Sequence, residues 1–102
     1  MGGAIKMNEL ETLLGYAERF LGRVRGSISL DEFRQYLRNL EEDVSSLTNA
    51  DAALRVSQAL VSIRMCDYVF RNHPEMKDPV VLPAVEKLVG IIKEELRRSP
   101  KQ

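Results

Sequence analysis

Apolar residues recur along this chain at steps of three and four, the spacing that gathers them on one side of a helix. Four segments carry the pattern. The first runs from about Glu9 to Arg25, with Leu10, Leu13, Leu14, Ala17, Phe20, Leu21 and Val24 in one broad stripe. Asn8 is placed to cap it, with Glu11 three residues on as in a capping box. Gly15 and Gly22 fall on its polar side; they are either tolerated there or mark a close approach by another backbone. The second segment spans about Leu30 to Leu47. Ser29 caps it, Glu32 completes the box and Ile28 staples the entry against Phe33. Its stripe is Phe33, Tyr36, Leu37, Leu40, Val44 and Leu47. Glu41, Glu42 and Asp43 sit in its C-terminal half, where the helix dipole disfavours acids, so basic partners are expected beside them.

The third segment, Ala50 to Asn72, is the longest and departs from the rule of one stripe per surface helix. At about 100° per residue, Ala52, Val56, Ala59, Ile63, Cys66 and Phe70 share one face. Leu54, Val61, Met65 and Tyr68, with Gln58 among them, share the opposite one. Thr48 or Asn49 caps its start. Asp51 with Arg55 and Asp67 with Arg71 are i,i+4 pairs on its flanks. Pro74 disfavours helical geometry in the residue before it and ends the segment near Asn72 or His73.

The fourth segment opens at Asp78-Pro79 or, because Pro83 has no N–H to bond back to Pro79, only near Pro83. Its stripe is Val81, Leu82, Val85, Leu88, Val89, Ile92 and Leu96, and Arg97 and Arg98 suit its C-terminus. No segment alternates as a strand does.

The connections are short, which makes successive helices antiparallel neighbours. The expectation is an all-α fold: a small antiparallel four-helix bundle, up-down-up-down, built around the long third helix. One domain spans 8–98, with a flexible lead at 1–7 and a tail at 99–102. One face of the third helix serves that core, and the other is left over.

Composition narrows the function classes. The 102 residues are 44% hydrophobic and 29% charged, a globular balance. The 15 basic and 15 acidic residues cancel, so no whole-domain field exists for gripping nucleic acid or anionic lipid. One cysteine, Cys66, allows no intrachain disulfide framework. No apolar run is long enough to span a bilayer, and the cytoplasm is the expected compartment. Cys66 and His73, the single residues of their kinds, are too few for a zinc site built from His and Cys. No phosphate loop or dinucleotide fingerprint is present. Catalytic, cofactor and metal residues are therefore expected to be none, and the carboxylate pairs Glu41-Glu42 and Glu94-Glu95 read as solvated faces.

Gly26 to Phe33 resembles the second half of an EF-hand calcium loop, with Gly26 at the sharp turn, Ile28 as the apolar centre and Glu32 as the bidentate ligand. The first, third and fifth loop positions would be Leu21, Arg23 and Arg25. Two cations there exclude a calcium site, and the capping box accounts for the pattern.

Two functional readings remain. The first is a non-enzymatic interaction or assembly module, a homodimer or a subunit of a larger complex, that meets another helical surface through Leu54, Gln58, Val61, Met65 and Tyr68. The alternative is a small subunit that grips nucleic-acid backbone through Arg19, Arg23, Arg25, Arg34 and Arg38. In an antiparallel hairpin these five lie towards one end and could hold phosphates, unless carboxylates take them up.

Overall fold

A computed structural model describes residues 2–98, with side chains from residue 9 onward. The expected tail at 99–102 and the side chains of the expected lead at 1–7 lie outside the described residues. The chain is all-α. Four helices, α1 (Gly2–Arg25), α2 (Leu30–Ser45), α3 (Ala50–Asn72) and α4 (Leu82–Arg98), pack in one globule, and there is no strand among the described residues.

Each helix packs on the next, and α4 returns to pack on α1. Among the described residues, the diagonal pairs α1/α3 and α2/α4 do not approach each other closely. Side-chain pairs run in reversed sequence order across three of these interfaces, and a single pair joins the fourth, α3 to α4. Between α1 and α2, Glu9 holds Thr48 in the loop beyond α2, Tyr16 meets Asn39, and Arg23 meets Glu32. Between α2 and α3, Arg34 meets Asp67 and Glu41 meets Arg64. Between α3 and α4, Arg55 meets Glu95. Between α4 and α1, Glu86 meets Arg25 and Lys93 meets Glu18.

The core is where the four stripes converge. Phe20, Phe33, Leu13, Leu40, Ile63, Leu88, Ile92, Val56 and Val85 are all essentially inaccessible to solvent. One end is aromatic. Phe20 stacks on Tyr36 at 5.0 Å between ring centres, and Phe33 meets Phe20 at 5.6 Å and Phe70 edge-on at 5.5 Å. These rings lock α1, α2 and α3 together at offset and edge geometries that their quadrupoles favour. Tyr36 also touches Tyr16, whose hydroxyl accepts a 2.7 Å hydrogen bond from Asn39 Nδ2.

The helix ends follow local chemistry, with four departures from expectation. First, α1 begins at Gly2, so Asn8 lies within the helix instead of capping it. Gly15 and Gly22 are helical, with open space where a Cβ would stand; no backbone approaches them. Second, α2 starts at Ser29, whose Oγ accepts from the Glu32 N–H at 3.1 Å, but the return half of the capping box is not made. The Glu32 carboxylate instead takes two bonds from the Arg23 guanidinium, at 2.6 and 2.9 Å. Charge-assisted pairing outcompetes a single backbone N–H. Third, α2 closes at Ser45 rather than Leu47, its last turn tightened by the Ser46 and Leu47 N–H groups bonding back to Asp43 and Val44. Asn49 is the residue that caps α3, its Oδ1 accepting from Ala52 N–H at 3.1 Å.

The fourth departure is the entry to α4. A 3-10 turn (Pro74–Met76) and a π-turn (Lys77–Val81) precede it, and Asp78 is not a cap. The Leu82 N–H reaches back five residues to Lys77 O. Pro79 and Pro83 have no N–H to offer to a regular ladder, and the wider register accommodates the missing donors. Lys77 itself reaches across to the end of α1, where its ammonium donates to Val24 O at 2.7 Å and Gly26 O at 2.6 Å. A cation on the last carbonyls of a helix satisfies acceptors that the helix leaves unpaired.

Candidate functional site

The residues singled out in the sequence fall on three different parts of the surface. The first is the outer face of α3. Its inner stripe, Ala52, Val56, Ala59, Ile63, Cys66 and Phe70, is buried together with Leu60. The outer stripe is bare: Leu54 is 59% exposed, Val61 57%, Met65 70% and Tyr68 65%, and Gln58 among them is exposed too. With Met76 they make up the exposed large apolar side chains of the described residues. The inner and outer stripes are separated by flanks on which Arg55, Arg64 and Asp67 are engaged with neighbouring helices. Arg64 is bound to Glu41 of α2, and Arg55 lies against Glu95 of α4.

On the α4 side the bare stripe borders two depressions. One is an open groove of about 740 Å³ between α3 and α4, with Ala59 and Ser62 on one wall and Ala84 and Ile91 on the other. Small side chains on both helices leave it unfilled. Its rim carries both signs, from Arg55, Lys87 and Arg98 to Glu94 and Glu95. The second, about 490 Å³, is an apolar hollow among Met65, Cys66, Tyr68, Val69 and Val80. Burial pushes the Cys66 thiol up from its ordinary pKa, which keeps it protonated and a poor nucleophile.

The second region overturns one expectation. Glu95 is not part of a solvated acidic pair. It is buried, at 5% exposure, beneath Arg55, whose Nη1 donates to both carboxylate oxygens at 3.2 Å, with Arg98 Nε at 3.9 Å. Glu94 is exposed. The sequence signal for a buried Glu95 was available: it falls one turn after the core residue Ile92. Likewise, the i,i+4 partners expected for Arg55 and Asp67 are displaced by cross-helix ones, Glu95 and Arg34.

The third region is the arginine set, which packing disperses. Arg23 is taken by Glu32, Arg25 by Glu86 at 3.4 Å, and Arg34 by Asp67 through two bonds of 2.7 and 3.0 Å. Arg19 lies over the Tyr16 ring, 6.0 Å from its centre. Arg38 lines a shallow depression with Arg34, Glu41, Arg64 and Asp67. The pairs leave electrostatic marks. The Arg34 guanidinium, hydrogen-bonded to Asp67, holds that carboxyl below the usual range, and Arg23 does the same to Glu32. Arg23 faces α2, Arg25 faces α4, and Arg34 faces α3. The shared end imagined for an isolated hairpin is divided among three interfaces.

His73 sits at the end of α3, 3.5 Å from Glu75 through Nδ1. Among the described residues, no group of three or more His, Cys, Asp or Glu side chains converges as metal ligands would. No helix among them is long and apolar enough to cross a membrane. No protein-family model, curated protein or solved structure matches the chain.

Proposed function

We propose that the protein is a non-enzymatic helical interaction module, and that the outer face of α3 is its docking surface. The observation that carries this reading is the solvent-exposed stripe of Leu54, Val61, Met65 and Tyr68 on a helix whose other side is already consumed by the core. Four large apolar side chains in one line amount to a patch of roughly 500 Å², towards the upper end of what monomers expose. Gln58 within the line gives a docking helix a polar register mark. The arginine reading has less support, because three of its five side chains are neutralised by carboxylates of the same chain.

The test is the double variant Val61→Glu with Met65→Lys. Both side chains lie outside the core, so the variant is expected to keep its helicity and to melt within a few degrees of the wild type. Loss of folding would show that the face belongs to the monomer's own core and would overturn the reading.

A further inference from the structure

We infer that the occupant of this face is a second copy of the same chain, seated with the two α3 helices parallel and the α3 stripe of each copy lying in the α3/α4 groove of the other. This rests on the docking-surface reading above and names its partner.

Three observations lead there. The first is area. A stripe of roughly 500 Å² contributed twice gives on the order of 1,000 Å², the lower bound for a specific interface. The half-buried Val69, Val80 and Ile91 beside it add to that. A self-complementary surface closes as a twofold dimer and leaves no apolar face over.

The second is shape. Ridge and groove lie side by side on one surface, so each copy offers what the other needs. The groove is lined in part by small side chains, Ala59, Ser62 and Ala84. A twofold axis perpendicular to the helices would stack ridge on ridge. An axis running along them offsets the two α3 helices, and each ridge then enters the other's groove. That symmetry makes the α3 helices parallel.

The third is the placement of the one polar residue and of the charges. Leu54, Gln58, Val61, Met65 and Tyr68 follow steps of 4, 3, 4 and 3, the spacing of a heptad seam with Gln58 and Met65 at one kind of position and the other three at the second. In the parallel pairing Gln58 meets Gln58 of the second copy, and two amides satisfy each other. The groove rim mixes Arg55, Lys87 and Arg98 with Glu94 and Glu95, and the chain has zero formal charge. Both signs on each rim allow cations of one copy to face Glu94 of the other.

The experiment is sedimentation velocity across a concentration series on the wild type, the Val61→Glu/Met65→Lys variant and Ser62→Arg, with helicity measured on each. Ser62→Arg fills the groove and leaves the stripe untouched. Oxidative cross-linking of Gln58→Cys in a Cys66→Ala background reports on orientation. A dimer is expected for the wild type at tens of micromolar, folded monomers are expected for both variants, and Gln58→Cys is expected to cross-link to itself. A wild type that stays monomeric overturns the second copy as occupant; if the double variant is also folded, the docking face stands with a different partner. A dimeric Ser62→Arg overturns the ridge-in-groove arrangement. Failure of Gln58→Cys to cross-link in a dimeric sample overturns the parallel pairing.

Discussion

At the scale of single residues, the ion pairs across helix interfaces set how the protein responds to acid and to truncation. Asp67 and Glu32 are held below the ordinary carboxylate range, chiefly by hydrogen bonds from Arg34 and Arg23. The unfolded chain therefore takes up protons more readily than the folded one at these sites. Their contribution to stability is fully present above the ordinary carboxylate pKa of about 4. It is lost as pH falls through the depressed folded values. Thermal melts from neutral pH downward should show the wild type losing stability below about pH 4, with a shallower loss in Asp67→Asn. Equal slopes would mean that the Arg34–Asp67 pair is not formed in solution. Glu95 makes a different prediction. Its carboxylate is buried while Arg55 is half in water, so the two partners are not equivalent. Arg55→Ala removes both hydrogen bonds to the buried carboxylate and leaves it only Arg98 at 3.9 Å, which should cost about 1–3 kcal/mol in urea unfolding at neutral pH. Glu95→Leu removes the buried charge itself, frees Arg55 to hydrate, and should be near neutral or stabilising. A larger loss for Glu95→Leu than for Arg55→Ala would refute this account of the pair.

At the scale of elements, the helices differ in what limits them. α2 and α3 are capped by side chains, Ser29 and Asn49, each accepting from the N–H three residues on. α4 is entered through a π-turn because two prolines withhold donors. α1 carries two unexplained costs, Gly15 and Gly22, neither of which makes a close contact or adopts a positive φ. Gly15→Ala and Gly22→Ala should each stabilise by about 0.5–1 kcal/mol through a smaller loss of backbone entropy on folding. Chemical unfolding of the two single variants and the double checks this; the sites are two turns apart with no shared partner, so the gains should add. A loss at either site would show that something meets the added methyl group.

At the scale of the whole molecule, the arrangement of four stripes around one core decides which face of α3 is structural. Ile63 is fully buried and Gln58 is exposed, although they lie on the same helix five residues apart. Ile63→Asp places an unpaired carboxylate in the core and should cost several kcal/mol, a large share of a small domain's total of about 5–15 kcal/mol. Gln58→Asp should leave the melting temperature of the monomer close to wild type. Comparable melting temperatures for the two would mean that the helix is rotated from the orientation described.

Much of this was legible in the chain. Helical period and proline position settle where α3 begins and ends, because both are local. The same period separates the residues of α3 into two stripes, and the short links between elements make neighbours of successive helices. Assigning one stripe to the core and leaving the other bare needed only a count of available cover: α1, α2 and α4 each bring a single stripe. The tertiary structure decided the rest. Which carboxylate each arginine takes is a matter of cross-helix distance, and Arg34 with Asp67 or Arg55 with Glu95 are 33 and 40 residues apart in sequence. The burial of Glu95, the Lys77 ammonium on the carbonyls that end α1, and the unfilled groove between α3 and α4 all depend on how two distant helices lie against each other. Hydrophobic periodicity is a property of one helix at a time; ion pairing and groove shape are properties of pairs of helices, and only packing specifies them.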